Sequence, residues 1–363
     1  MEKLTPSLEE NLRTFRELFH APENQDFVVR ELEPGGVRLA VLCIDGMASR
    51  RNIESAVLRP LMKAPPFGSL PPETRAQALL DKVLPTGTGE TEERVQNIAE
   101  FLLDGNCAVL IDGCAQAVLA ETQGYDTRSV NQPLIENTAF ASHEAFNESL
   151  RTNLTLLRRI LRTPDLVAEM HNIGATSSTK VALVYLSGVT SRKLIAECRR
   201  RLGGIGIDRL LSVGQLQQLI EDNPRQLLPQ IVQTERPDRT ASFLTDGMAV
   251  VLCDGAPYAL AMPGTFWTFL HTPDDHALRW QYGSFLRIVR VLGFFLALLL
   301  PALYAAMAMF HQQMLPTKLL LSIIESKQNV PFSTLLEVLG LLCAFELLQQ
   351  AGLHLPQAVG TAV

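Results

Sequence analysis

The chain has 363 residues, 47% of them hydrophobic and 19% charged, with a net charge of −6 and a mean hydropathy of +0.13. Aliphatic content at this level excludes a disordered or low-complexity protein, and the acidic balance argues against a nucleic-acid binder, whose footprint is basic. Of the 32 basic and 38 acidic side chains only seven lie after residue 282 (Arg287, Arg290, Lys318, Glu325, Lys327, Glu337 and Glu346), so a soluble part is joined to a membrane-like part.

The first residues, MEKLTPSLEENLRTF, mix acids and bases without an apolar core. They do not read as a secretory signal, and residues 1–25 are taken as an N-terminal helical segment. Six cysteines (Cys43, Cys107, Cys114, Cys198, Cys253 and Cys343) are scattered without a CxxC pair, and the seven histidines show no ligand spacing. Structural thiols in a reducing compartment are expected, with no metal and no cofactor.

Residues 26–125 and 167–272 read as one domain written twice. At a shift of 142, RLAVLCIDGMASRRNI (38–53) falls on KVALVYLSGVTSRKLI (180–195), with Gly46 on Gly188, Ser49 on Ser191 and Arg50 on Arg192. The same shift puts Glu93-Arg94 on Glu235-Arg236 and Asp112-Gly113 on Asp254-Gly255. Each copy opens with an apolar run ending at a glycine, as a buried strand does. A helix capped by Ser49 or Ser191 follows, then a second helical stretch near 73–83 or 213–221. FLLDG and FLTDG lead into a hairpin whose Asp-Gly pair matches a two-residue turn. The fold class is α/β, a duplicated domain of two related subdomains with helices on a small mixed sheet. Glu93, Arg94, Glu235 and Arg236 read as a structural ion-pair motif rather than a catalytic one.

Residues 126–166 read as a connector carrying an amphipathic helix. Phe146, Leu150, Leu154, Leu157 and Leu161 follow helical spacing, while Arg151, Arg158, Arg159 and Arg162 crowd the polar side. Periodicity favours a connecting helix with a solvated face; the alternative is a basic face that docks on a membrane or a partner.

Residues 280–363 read as an α-helical membrane region. Residues 291–310 carry no charge, and twenty helical residues reach ~30 Å, the thickness of a hydrocarbon core. Pro301 removes a helical donor and should kink this span. Arg279, Arg287 and Arg290 precede it, which places the soluble part on the cytoplasmic side. The apolar stretch 335–348 gives ~21 Å, short of a crossing. It carries Glu337 and Glu346 on opposite helix faces. An acid at membrane depth is a functional candidate, whereas one at the interface is simply solvated. With Pro301 these two acids are the candidate membrane and gating residues.

No catalytic constellation stands out, and the chain is not expected to be an enzyme. LGGIGID (202–208) follows a helix and reads as C-capping glycines. PTGTGET (85–91) lacks the lysine of a phosphate loop, which leaves a nucleotide-binding enzyme as the weakest rival.

The stretches ESLRTNLTLLRRI (148–160), TKVALVYLSGV (179–189), LPQIVQTERPDR (228–239), DGAPYALAMPGTF (254–266), LPALYAAM (300–307) and FELLQQAGLHLP (345–356) resemble, in this order, the A subunit of the GerA-type spore germination receptors. The resemblance runs from about residue 8 to 363. It implies a cytoplasmic domain of two related subdomains and a membrane domain in the inner membrane of an endospore. The partners it implies are a transporter-like B subunit and a lipoprotein C subunit. It further implies a homo-oligomer that conducts ions in response to nutrients, with the nutrient site mainly in the B subunit. Family members continue with further hydrophobic segments, so the chain reads as truncated. The second reading is therefore a non-conducting accessory or truncated paralogue that scaffolds the receptor cluster. ENTAFASHEAF (136–146) also replaces the Arg-Gly-Pro type stretch that family members carry before the helix.

Overall fold

The computed structural model describes residues 3–64, 70–84, 89–124, 133, 136, 142–226, 228–272, 274–327 and 332–354. The chain divides into two compact units, Met1–Ala277 and Leu278–Val363.

The first unit holds the two copies. Copy one runs α1 (Leu8–Leu18), β1 (Phe27–Leu32), β2 (Leu39–Ile44), α2 (Arg50–Asn52), a π-helical turn at Ile53–Leu58, α3 (Arg59–Met62), α4 (Pro72–Lys82), β3 (Glu90–Glu92), α5 (Val95–Leu103), β4 (Cys107–Ile111) and β5 (Ala117–Ala120). Copy two runs α6 (Leu150–Ile160), β6 (Leu166–Ile173), β7 (Thr179–Leu186), α7 (Arg192–Gly203), α8 (Val213–Ile220), β8 (Val232–Thr234), α9 (Pro237–Thr245), β9 (Ala249–Cys253) and β10 (Ala259–Met262). The bounds of α1, β3, α5, β4 and β5 recur 142 residues later as those of α6, β8, α9, β9 and β10.

The repeat therefore begins at the N-terminal helix. Helix α6 is the first element of copy two and the counterpart of α1, not a connector between domains. The same bonds hold both helices in place. The Ser7 and Ser149 hydroxyls accept the N–H groups of Glu10 and Thr152, each at 3.4 Å. Asn11 and Asn153 each accept a backbone N–H at 2.9 Å and donate to the carbonyl of the same residue at 2.6 Å, Thr5 in one copy and Asn147 in the other.

The sheets have the orders β1-β2-β4-β5-β3 and β6-β7-β9-β10-β8, and every pairing in them is antiparallel. The mixed sheet expected from the sequence is corrected. Each short strand β3 or β8 turns back antiparallel on the far side of the hairpin, at the sheet edge. The Asp-Gly turns are also longer than two residues, since β4 ends at Ile111 and β5 starts at Ala117. Gly113 and Gly255 still sit at positive φ, +84° and +82°. The extra residues free Asp112 and Asp254 to accept the N–H of Leu8 and Leu150 in the first turns of α1 and α6, at 3.3 and 3.0 Å. Of the PTGTGET stretch, residues 85–88 lie outside the described residues, and Glu90 and Thr91 belong to β3.

Each sheet is covered on both faces. In copy one, Leu8, Leu12 and Phe15 of α1 and Ile98 and Leu102 of α5 pack on Ala40, Leu42 and Leu110. On the opposite face, Val57, Leu61 and Leu79 pack on Leu39, Val41 and Val109. Copy two repeats this with α6 and α9 on one face and α7 and α8 on the other. Burial on both faces explains why β2, β4, β9 and β10 are apolar without alternation. Each fully buried aliphatic side chain stabilises the layer by roughly 1.5–3 kcal/mol. After β10 the unit ends in two short helices, α10 (Phe266–Leu270) and α11 (Asp274–Ala277).

The second unit consists of α12 (Trp280–Met309), α13 (Thr317–Lys327) and α14 (Thr334–His354), with α12 and α14 in contact. By length and composition, α12 and residues Thr334–Gly352 of α14 are each sufficient to cross a membrane. The apolar stretch 335–348 lies inside a longer helix. The helix continues through Gln349 and Gln350, beyond the apolar stretch, to 21 residues, or ~31 Å at the helical rise.

Candidate functional site at the junction of the two copies

The basic side of α6 is solvated only in part: Arg158 is buried, Arg151 and Arg159 are half-buried, and Arg162 is exposed. Leu150, Leu154 and Leu157 pack on the sheet of copy two, which turns Arg151, Thr155 and Arg158 toward copy one. Arg158 meets Asp26, the residue before β1, in a two-pronged pair, Nε to Oδ2 at 2.9 Å and Nη2 to Oδ1 at 2.8 Å. The side chains are 2% and 4% exposed. Arg158 also donates to Asn24 Oδ1 at 3.3 Å and to the Thr163 carbonyl at 3.3 Å. Two further bonds close the seam: Gln25 N–H to the backbone carbonyl of Ala168 at 3.1 Å, and Ala168 N–H to the side-chain Oδ1 of Asn24 at 3.1 Å. Around the rim, Arg151 pairs with Asp45 at 2.8 Å, Arg162 with Asp104 at 3.0 Å, and His20 lies 3.1 Å from Asp165. Burial pushes the Asp26 carboxyl up from its ordinary value, and the Arg158 charge opposes that shift.

Two cavities flank this clasp. One, of about 600 Å³, is lined by Gly46, Ser49, Arg50, Asn52, Arg151 and Thr155. The other, of about 670 Å³, is lined by His20, Glu23, Tyr185, Gly188, Arg192 and Arg199. The 142-residue shift carries Gly46 and Arg50 of the first onto Gly188 and Arg192 of the second. The first cavity is rich in donors, with the guanidinium groups of Arg50, Arg51 and Arg151 in its lining and hydroxyls beside them; Arg50 and Arg151 both pair with Asp45, at 3.4 and 2.8 Å. Beside the second, the Tyr185 hydroxyl and the Arg199 guanidinium both donate to Glu169, the Nε bond measuring 2.8 Å.

The Glu-Arg motif holds the segment that enters each copy's first helix. The Glu93 and Glu235 carbonyls accept the N–H of Leu4 and Phe146, both at 2.8 Å. The Glu93 carboxylate accepts from Lys3 and Gln116, each at 3.1 Å, while the Arg94 N–H donates to Glu92 at 3.0 Å. Glu235 accepts the Glu136 N–H at 2.9 Å. Arg236 is fully buried. It pairs with Asp238 at 2.7 Å and donates to the carbonyls of Ser142 at 2.8 Å and Glu136 at 3.2 Å. Among the described residues, ion pairs run from Lys3 to Glu93 and from Arg236 to Asp238. Residues 137–141 of the ENTAFASHEAF stretch lie outside the described residues.

A family model described as Bacillus/Clostridium GerA spore germination protein matches residues 13–363. The chain belongs to the GerA family. Spore germination protein KA of Bacillus subtilis is 34% identical over 363 residues, covering 99% of this chain and 66% of that protein. Spore germination protein GerLA of Bacillus cereus is 31% identical, covering 99% of this chain and 73% of the relative. The chain therefore spans about two thirds of the length of these GerA-family relatives. A solved structure, the N-terminal domain of the A subunit of the Bacillus megaterium spore germinant receptor GerK3, is 30% identical with a TM-score of 0.58. It covers 73% of this chain and is itself covered over 98%. The relatives are thus spore germination proteins, and the one of known structure is an A subunit of a germinant receptor.

The GerA-family match extends through the second unit, where the other sequence-selected residues lie. Pro301 sits inside α12, which continues past it to Met309. Glu337 lies half-buried in the first turn of α14. Glu346 is exposed and accepts from Gln350 at 3.3 Å.

Proposed function

We propose that this GerA-family chain is a membrane subunit of a nutrient-germinant receptor complex, and that it oligomerises and contributes to the ion release that triggers endospore germination. The reading is carried by a family match that spans both units, supported by two helices long and apolar enough to cross a membrane. In this reading the complex lies in the inner membrane of the spore, alongside a transporter-like B subunit and a lipoprotein C subunit. The first unit faces the cytoplasm, in keeping with Arg279, Arg287 and Arg290 ahead of the apolar run. The chain acts by assembly rather than catalysis, and the doubled α/β unit offers the surfaces for it.

The test is ion and dipicolinate release from spores lacking the gene, exposed to a panel of amino acids and sugars. Loss of one nutrient response, restored by this 363-residue chain, supports a working receptor subunit. An unaltered response across the panel overturns the reading and favours a non-conducting accessory. Pro301, Glu337 and Glu346 are the positions through which the membrane part would gate. An unchanged release time course in Pro301→Ala, Glu337→Gln and Glu346→Gln alike removes them from that role.

A further inference from the structure

Both tryptophans of the chain, three of its 16 phenylalanines and one of its five tyrosines fall within residues 266–285. Part of this cluster belongs to α10, at the end of the first unit. Leu270 is the buried residue of that helix, while Trp267 is 58% and Phe269 39% exposed. A tryptophan left more than half exposed is unusual, because its ring carries a large apolar area.

The exposure does not come from a loosely held helix. A capping box closes the start of α10 through Thr265 and Thr268. At the other end, Arg239 of α9 donates to the carbonyls of Thr268 and His271, at 3.3 and 3.2 Å. Such terminal carbonyls lack helical donors of their own. The same guanidinium pairs with Glu136 and lies 5.2 Å from the Phe243 ring centre. Arg239 therefore pins α10 to the core of copy two with Trp267 and Phe269 outward.

Nine residues separate Leu270 from Trp280, a reach of ~36 Å at most. Helix α12 then begins with exposed Trp280, Tyr282 and Phe285, followed by Arg287, Arg290 and the uncharged run. Aromatic and basic residues in this order flank a bilayer crossing at the headgroup level.

We propose that α10 is an interfacial anchor, with Trp267 and Phe269 inserted at the headgroup–acyl boundary of the bilayer that α12 crosses. The proposal rests on the membrane reading above, and it adds a second contact between the chain and the lipid, one made by the α/β unit itself.

The two tryptophans make the test direct. The full chain is reconstituted in phosphatidylcholine vesicles, with or without lipids brominated near the top of the acyl chain. Trp280→Phe leaves Trp267 as the sole reporter, and Trp267→Phe leaves Trp280. The expected result is blue-shifted Trp267 emission, quenched by the brominated lipid and protected from iodide in the water. Trp280 quenched while Trp267 stays open to iodide overturns the anchor and leaves the span intact. Trp267 protected from iodide yet untouched by bromine means that protein covers it, which also overturns the proposal. Neither tryptophan quenched removes the membrane reading together with the anchor. Arg239→Gln should lower the quenching of Trp267 and spare that of Trp280; equal quenching in that variant overturns the pinning role.

Discussion

Arg158, on the first helix of copy two, makes its closest bonds not to its own copy but to Asp26 of copy one, 132 residues earlier, at 2.8 and 2.9 Å. The two repeats are thereby joined through a buried ion pair, supported by the Asn24 side chain and by one backbone–backbone bond. Any movement of one copy on the other must therefore work against this clasp.

Removing one partner of a buried pair leaves an uncompensated charge. Arg158→Ala should therefore cost about 3–5 kcal/mol, whereas Arg158→Met combined with Asp26→Leu should recover most of the loss. Hydrogen exchange of β1 and β6 in the full chain measures both. A loss below ~1 kcal/mol in Arg158→Ala would falsify the clasp as a principal tie.

The two equivalent glycines beside the cavities differ in what they face. A Cβ on Gly46 would lie 2.6 Å from the Thr155 hydroxyl, while one on Gly188 meets nothing within 4 Å. Both sit at positive φ, +92° and +81°, so either alanine pays a backbone penalty of about 1–2 kcal/mol. Only Gly46→Ala also wedges α6 away from copy one. Melting temperatures of the two variants should fall in that order, with Gly46→Ala lower; equal values would show that α6 yields without cost.

Asp112 and Asp254 should behave as twins. Each accepts an N–H from the first turn of its copy's opening helix, and loss of such a cap costs about 0.5–2 kcal/mol. Asp112→Ala and Asp254→Ala are expected to destabilise by similar amounts, and by their sum when combined. Denaturant midpoints of the two single variants and the double check this, and strong non-additivity would mean that the two helices are coupled through the clasp.

The strands were legible because residues 38–53 and 180–195 repeat both in apolar character and in spacing. The family resemblance, read from 148–160, 179–189 and later stretches, agrees with the match over residues 13–363. The equivalence of α1 and α6 was written more faintly. Ser7, Leu8, Asn11 and Leu12 recur as Ser149, Leu150, Asn153 and Leu154, and the residues between them do not. Strand direction was not legible, since β3 joins its sheet only through β5, with Glu90 opposite Leu119 and Glu92 opposite Ala117. The clasp was invisible for a related reason. A basic helix face looks the same in sequence whether water or Asp26 neutralises it, and only the packing of Leu150, Leu154 and Leu157 decides which way it turns.

The last prediction concerns acid. Burial pushes the Glu169 carboxyl up, but hydrogen bonds from Arg199 and Tyr185 and the Arg199 charge outweigh it and hold the group below its ordinary value. The same surroundings, burial first and Glu169 second, raise the Tyr185 phenol. A carboxyl depressed in the folded state contributes stability above its unfolded value of about 4.3, and loses it as pH falls through the lower folded value. The wild-type chain should therefore lose stability progressively below about pH 4.3, and Glu169→Gln should flatten that part of the curve while lowering stability at neutral pH. Thermal melts from neutral pH to pH 3 of both proteins decide it. Parallel curves would mean that Glu169 is not held in its charged form by Arg199, and that the wall of the second cavity is set by packing alone.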